Sequence, residues 1–376
     1  MAAPTTTPQA PPSSQVRAVA WVRQNLFNGV GNSVVTVVIL LFLAMLLPAL
    51  WRWAVADAIL TLKPSAESWW GYELAPDADA CRVASGACWD FIAEKFRVVT
   101  FGLYPQEEQW RPTLMMLLLV AMIAISVNSR FWSRALLVAW VVAVPVMFIL
   151  MQGGIFGLEL VETDRWGGLP VTLIIAVTGI VFSFPLAILL ALGRRSDLPV
   201  VKTICIAFIE IVRGVPLITV LFMASLMIPL FTPEGVNFNK LLRALVGFTL
   251  FSAAYVAEVV RGGLQALPKG QFEAADAMGM SYWQKTGLII LPQALKLVIP
   301  PTMNTFIGLF KDTTLIIIIS MFDFLGAIRL AANDPVWRPF YVEGLVFAAI
   351  IYFIMCYAMA SYSRQLERKL DTGHRS

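Results

Sequence analysis

The chain has 376 residues, of which 59% are hydrophobic and only 14% charged. A soluble domain carries about 25% charged residues, so a water-soluble globular protein is excluded and a polytopic helical membrane protein is expected. The formal net charge is +4, with no run of Lys or Arg interleaved with aromatics, which leaves no signature of a nucleic acid partner.

The first fifteen residues, MAAPTTTPQAPPSSQ, are uncharged and rich in Pro, Thr and Ser. They cannot bury a core and are expected to be disordered, making residues 1–32 a tail and lead-in. A signal peptide is not expected, because the first apolar run starts only near Ser33 and no small-residue cleavage site follows a short apolar core. A helical span needs about 20 mostly apolar residues to cross a hydrocarbon core about 30 Å thick. Eight segments reach or approach that length: Ser33–Leu50, about Pro112–Val127, Ala135–Met151, Leu169–Leu192, about Gly214–Phe231, Leu241–Val260, about Leu288–Phe310 and Gly344–Ser361. The run TTLIIIISMF, Thr313–Phe322, has ten residues and is too short to span; it either extends the seventh helix or forms a half-helix. Pro292, Pro300 and Pro301 make the seventh helix irregular at its start. Tyr362, Leu366 and Leu370 recur at i, i+4 and i+8, which predicts a surface helix continuing the last span.

Loop charges orient these spans by the positive-inside rule. Arg17 and Arg23, Arg130 and Arg134, Arg194, Arg195 and Lys202, then Arg261, Lys269 and Lys285, and finally Arg364, Arg368, Lys369 and Arg375 all fall on one side if the N-terminus is cytoplasmic. The large loop 51–111 and the acidic GLELVETDRW then face outside. Both termini are therefore expected in the cytoplasm. Cys81 and Cys88 lie in the large outer loop, where an oxidising compartment permits a disulfide; two free thiols is the alternative. Cys205 and Cys356 lie in or beside spans and read as packing residues.

Catalytic chemistry is poorly supplied. The one His is His374, and there is no H-E-x-x-H, no Cys cluster and no phosphate loop. No catalytic or metal-ligating set is expected. If the chain takes part in active transport, the energy has to come from an ion gradient or from another subunit.

One polar interruption stands out, EAADAMGMSYWQKTGLIILP at Glu273–Pro292. Its first half favours a helix, with Glu273 and Asp276 read as lying near the helix start, where the dipole favours acids. Gly279 adopts φ > 0 without a Cβ penalty and suits a sharp turn. Ser281 offers an N-cap to a second short helix before Pro292. The product is a helix–turn–helix knob on the cytoplasmic side, about residues 270–290. Spacing alone does not separate this knob from an ordinary interfacial loop.

Glu273-Ala274-Ala275, Gly279, Ile289 and Leu291-Pro292 also match the EAA---G---------I-LP pattern at every constrained position. In this the chain resembles the membrane subunits of ABC importers. The stretches YVAEVVRGGLQALPKGQFEAADAMGM, LPQALKLVIPPTMNTFIGLFKDTTL and EIVRGVPLITVLF resemble the polar amino acid permeases of the histidine/glutamine type, over about Leu169–Leu370. The added N-terminal spans, residues 33–168, resemble permease subunits of general L-amino acid transporters from Gram-negative bacteria. The resemblance implies an all-α membrane protein with about eight transmembrane helices, whose residues 169–376 form a five-helix type I ABC importer core. It implies a bacterial inner-membrane location and a non-catalytic subunit that binds no cofactor itself. It further implies an ABC ATPase homodimer carrying ATP and Mg, a second homologous permease, a periplasmic binding protein and an amino acid as cargo. Glu273, Ala274, Ala275 and Gly279 would shape the helix that docks on the ATPase, the small alanines permitting close approach. An ion-coupled secondary transporter is the alternative, which a broken seventh helix alone would allow.

Three pairs of charges remain. Glu210 and Arg213, and Glu258 and Arg261, are each three apart at a cytoplasmic helix end, so each pair is expected to meet across one turn. As ionisable groups at span ends they are candidates for the pathway, and they read more readily as interface anchors and inter-subunit or coupling-loop contacts. Lys311 and Asp312 fall near the outer side of the pathway. Opposite charges there suit the ammonium and carboxylate of an amino acid; a structural ion pair is the competing reading.

Overall fold

A computed structural model describes residues 14–64, 72–231, 233 and 238–370. The chain divides into two compact units, residues 1–90 and 91–376.

In the first unit, helix α1 spans Ser14–Asn25, so Ser14 and Gln15 at the end of the stretch expected to be disordered already belong to a helix. Residues 1–13 of that stretch lie outside the described residues. Helix α2 (Val30–Trp51) runs on as a π-turn through Arg52–Ala56. None of its residues is buried, and a helix apolar on every face suits a hydrocarbon surrounding. Beyond it, β1 (Leu62–Pro64) pairs antiparallel with β2 (Tyr72–Leu74). Asp77 caps the short helix α3 (Ala78–Val83) by accepting from the Asp79 and Ala80 amides. Cys81 and Cys88 are joined by a disulfide. Asp90 is fully buried, and its carboxylate accepts from the Thr61 amide (2.7 Å), the Thr61 hydroxyl (2.6 Å) and the Asp77 amide (3.0 Å). Those donors replace the water that a buried carboxylate loses.

The second unit holds the remaining helices. Helix α4 (Asp90–Phe101) is followed by α5 (Trp110–Val127) and α6 (Arg134–Gln152), which pack on each other across a short turn. Arg111 is wholly buried where the pair closes. Its Nε donates to Leu150 O at 2.7 Å and its Nη1 to Glu159 O at 2.8 Å. Carbonyls at the end of α6 carry the negative pole of the helix dipole, which offsets the burial of a cation.

Helix α7 (Gly168–Arg194) leads to α8 (Pro199–Gly214) and α9 (Leu217–Phe231), which are bent by 106° about the break at Val215 and Pro216. At 15 residues α9 is about 22 Å long, too short to cross alone. Helix α10 (Lys240–Ala266) is the hub of the core, packing against α7, α8, α9 and the later α13 (Leu291–Asp312). Its buried face carries Ala244, Gly247, Ala253, Ala254, Ala257 and Gly263, and small side chains let neighbouring backbones approach closely. Seven helices among the described residues are long and apolar enough to cross a membrane, or eight if the bent pair counts as one span.

The ambiguous run Thr313–Ile319 extends α13 as a 3-10 helix and stops at Ser320, whose φ is 59°. A short strand, β3 (Phe322–Asp323), then bridges to Gly167 and Gly168 at the start of α7. Gly168, at φ 67°, lies so close to Thr100 that an added Cβ would stand 2.1 Å from the Thr100 carbonyl oxygen. That contact seats the end of α4 against the start of α7. Asp323 caps helix α14 (Phe324–Ala331), accepting from the Gly326 amide at 2.8 Å and from the Tyr352 hydroxyl at 2.9 Å. The last helix, α15 (Tyr341–Leu370), is continuous through the expected surface extension. His374 lies outside the described residues.

Candidate functional site

The polar interruption forms a hairpin between α10 and α13. Its first arm, α11 (Lys269–Ala277), starts directly after Pro268. It therefore begins earlier than the sequence reading placed it. Glu273 is mid-helix and Asp276 lies in the last turn, where the dipole disfavours an acid. Lys285 corrects that mismatch, its Nζ lying 2.5 Å from Asp276 Oδ1. Gly279 turns the chain at φ 69°. The second arm, α12 (Tyr282–Gln284), opens with a capping box between Ser281 and Gln284. It is no separate helix ending before Pro292: a π-turn over Lys285–Ile290 carries it straight into α13. The irregularity expected at the start of the seventh span is this π-turn, which lies within the continuous span Tyr282–Ile319 just before Pro292.

The two faces of α11 differ sharply. Glu273, Ala274, Asp276 and Met278 are exposed, as are Tyr282 and Trp283 beyond the turn. Phe272 and Ala275, three apart, face inward, and Ala275 is completely buried. Ala275 is thus not part of a docking surface; its small side chain lets α11 lie close to its own chain. Ile289 and Leu291 are half-buried anchors, with Ile289 packed on the core, and Pro292 is exposed. Gln271 and Gln293 join the two arms, with Gln293 Nε2 donating at 3.1 Å.

Next to the hairpin, three guanidinium groups converge on one carboxylate. Glu258 on α10 receives Arg261 Nη2 at 2.8 Å, Arg194 Nη1 of α7 at 2.8 Å and Arg213 Nη1 of α8 at 3.6 Å. Glu210 instead takes Arg194 Nη1 at 2.8 Å. The expected turn-spanning pair forms for Glu258 and Arg261 but not for Glu210 and Arg213, because Arg194 and Glu258 are nearer partners from neighbouring helices. Arg195 Nη1 donates to Leu264 O at 2.9 Å, and its guanidinium carbon lies 5.4 Å from the Phe272 ring centre. Arg194, Arg195 and Lys285 entered the sequence reading only as orienting charges. Two basic residues ending a span opposite acids on two other spans were the available signal for the arginines. No periodicity pairs Lys285 with Asp276.

At the other end of α13, Lys311 is exposed and Asp312 half-buried. No ion pair within 4.0 Å forms between them or with another described residue, so the structural ion pair is not what the fold builds. Adjacent residues on a helix point about 100° apart, which separates their head groups.

Residues 183–372 match the family described as binding-protein-dependent transport system inner membrane component. The chain belongs to that family. It is accordingly an all-α, multi-pass inner-membrane subunit of an ABC transporter and is itself non-catalytic, ATP hydrolysis residing in separate subunits. Among its relatives is the Escherichia coli (strain K12) inner membrane amino-acid ABC transporter permease protein YhdY, 49% identical over 95% of this chain and 94% of that protein. The glutamate/glutamine/aspartate/asparagine transport system permease protein BztC of Rhodobacter capsulatus is 38% identical over 98% of this chain and 97% of its own length. The glutamate/aspartate import permease protein GltK of Escherichia coli is 34% identical over 54% of this chain and 91% of its own length.

Proposed function

We propose that this chain forms the translocation pathway of an ATP-driven amino acid importer together with a second, homologous permease. A periplasmic binding protein delivers the amino acid, and an ABC ATPase homodimer, holding ATP and Mg, docks on the α11–α12 hairpin. No cofactor belongs to this chain. Both termini, the hairpin and the Glu258 cluster face the cytoplasm, and loop 51–111 faces the periplasm. Residues 169–376 are the importer core, and residues 33–168 are an added membrane segment. The observation that carries this reading is the hairpin itself. A turn held by Gly279 presents Glu273, Ala274, Met278, Tyr282 and Trp283 outward, while Phe272 and Ala275 bind it to the rest of the chain. The names of the long relatives support an amino acid as cargo.

Lys311 and Asp312 are the proposed contacts for the ends of the amino acid. Neither residue makes an ion pair within 4.0 Å with a described residue, and charges at the end of a span are costly unless something pairs with them. The test is purification followed by reconstitution in liposomes. An ATPase is expected to co-purify, and uptake of labelled amino acid is expected to need ATP. Uptake by this chain alone on an ion gradient would overturn the reading. Lys311→Ala and Asp312→Ala are each expected to raise the half-saturating substrate concentration about tenfold or more, the worth of a charge-assisted hydrogen bond. Unchanged uptake in both variants removes the pair from the pathway.

A further inference from the structure

The hairpin is tied to the core in unequal ways. Two polar pairs, Gln271–Gln293 and Asp276–Lys285, close it on itself, since both members of each belong to the hairpin or to the start of α13. They stiffen the knob without fixing it to the other helices. The chain enters α11 from α10 through Leu267 and Pro268, an elbow in which Pro268 has no amide hydrogen to donate. The last carbonyls of α10 have no intrahelical donor. One of them, Leu264 O, is taken by Arg195.

Arg195 therefore touches both sides of the elbow. Its Nη1 holds the end of α10, and its guanidinium lies over the Phe272 ring on the inward face of α11. Its own backbone ends α7, with its amide donating to Leu192 O. The preceding residue, Arg194, anchors that same helix end to Glu210 on α8 and Glu258 on α10. Among the described residues, Arg195 is the side chain whose polar and ring contacts join α7 to α11. Arginine suits the position because a flat guanidinium can stack on a ring and still donate in its own plane, whereas an ammonium is a point charge.

We propose that Arg195 is a positioning residue for energy coupling: it clamps the α10–α11 elbow so that displacement of the hairpin moves the ends of α7 and α10 instead of being absorbed by bending at Pro268. This inference rests on the hairpin being the ATPase contact. It concerns transmission within this chain, not docking.

The test compares the wild-type complex, with its ATPase subunits bound, with complexes carrying Arg195→Leu, Arg195→Lys, Phe272→Leu and the Leu/Leu double variant. Three quantities are read in liposomes: ATPase recovered per permease, ATP hydrolysis, and amino acid transported per ATP hydrolysed. Arg195→Leu is expected to keep ATPase recovery and hydrolysis while transport per ATP falls about three- to tenfold. Arg195→Lys restores part of that ratio, and the double variant is no worse than Arg195→Leu, because the ring contact that Phe272→Leu removes is already lost in Arg195→Leu. A purely structural role would lower the yield of assembled complex and leave the ratio unchanged. An unchanged ratio in Arg195→Leu, or losses that multiply in the double variant, overturns the inference. A cysteine cross-link to the ATPase from Met278→Cys, made with and without each variant, separates the two ideas. If Met278→Cys alone gives no cross-link, the docking reading fails; if it cross-links and Arg195→Leu transports at the normal ratio, only the clamp fails.

Discussion

Replacement of Gly279 is the sharpest test of the hairpin. Its φ is 69°, in the left-handed region, and a Cβ added there would meet nothing within 4 Å. The penalty for a side chain is therefore backbone strain and not collision within the chain. A non-glycine residue in this region costs about 1–2 kcal/mol, which is about a 5- to 30-fold loss in the population of the turned hairpin. Asn tolerates the left-handed region better than Ala, and a β-branched residue tolerates it least. The expected order of transport per ATP is Gly, then Asn, then Ala, then Val, with membrane insertion equal throughout. The assay is ATP-driven uptake in liposomes at matched permease content. Size and strain are pulled apart by this series, since Asn is larger than Ala but less strained. If Ala outperforms Asn, the site is limited by contact with a partner and the turn argument fails. Normal transport by Gly279→Val refutes it outright.

Three other expectations follow from the fold. Glu258→Gln removes the carboxylate that, among the described residues, lies within 4.0 Å of Arg213 and Arg261, while Arg194 keeps Glu210. It should destabilise the purified protein by about 1–3 kcal/mol, against under about 1 kcal/mol for the more exposed Glu210→Gln, read as the shift in thermal midpoint. Cys81→Ser should loosen the outer loop by about 2.5 kcal/mol from chain entropy alone, detected as faster proteolysis there, and in the native protein Cys81 and Cys88 should resist alkylation until reduced. Asp334, paired with Lys95 at 2.7 Å, has its carboxyl held below the ordinary range by that hydrogen bond and by the Val336 amide. A depressed folded pKa means that this pair's contribution is fully present above about pH 4 and is lost as pH falls through the folded value. Protection of the α4 contact in hydrogen exchange should weaken over that acid range and should not do so in Asp334→Asn.

Much of this protein is a local property of its sequence. A run of apolar residues long enough to cross a bilayer is visible without neighbours, and the expected spans start within three residues of α2, α5, α6, α7, α10, α13 and α15, although α10 and α15 run six and nine residues past the expected ends. The turn at Gly279 and the cap at Ser281 are equally local, because each depends on one residue's own backbone or on a partner three positions away. What needed the tertiary structure is every choice among competing partners. Glu210 and Arg213 had the spacing to pair, yet Arg194 and Glu258 come nearer once α7, α8 and α10 pack. Ala275 belongs to a motif whose alanines suggested docking, yet the face it occupies is the one that closes on the core. Arg195 reaches a carbonyl 69 residues away, a distance in sequence over which no period or spacing carries information. Sequence decided which segments leave water and where the chain turns, since both follow from side chains acting on their own backbone. Packing decided which charges meet, because an ion pair is set by distance in space and the helices had first to come together.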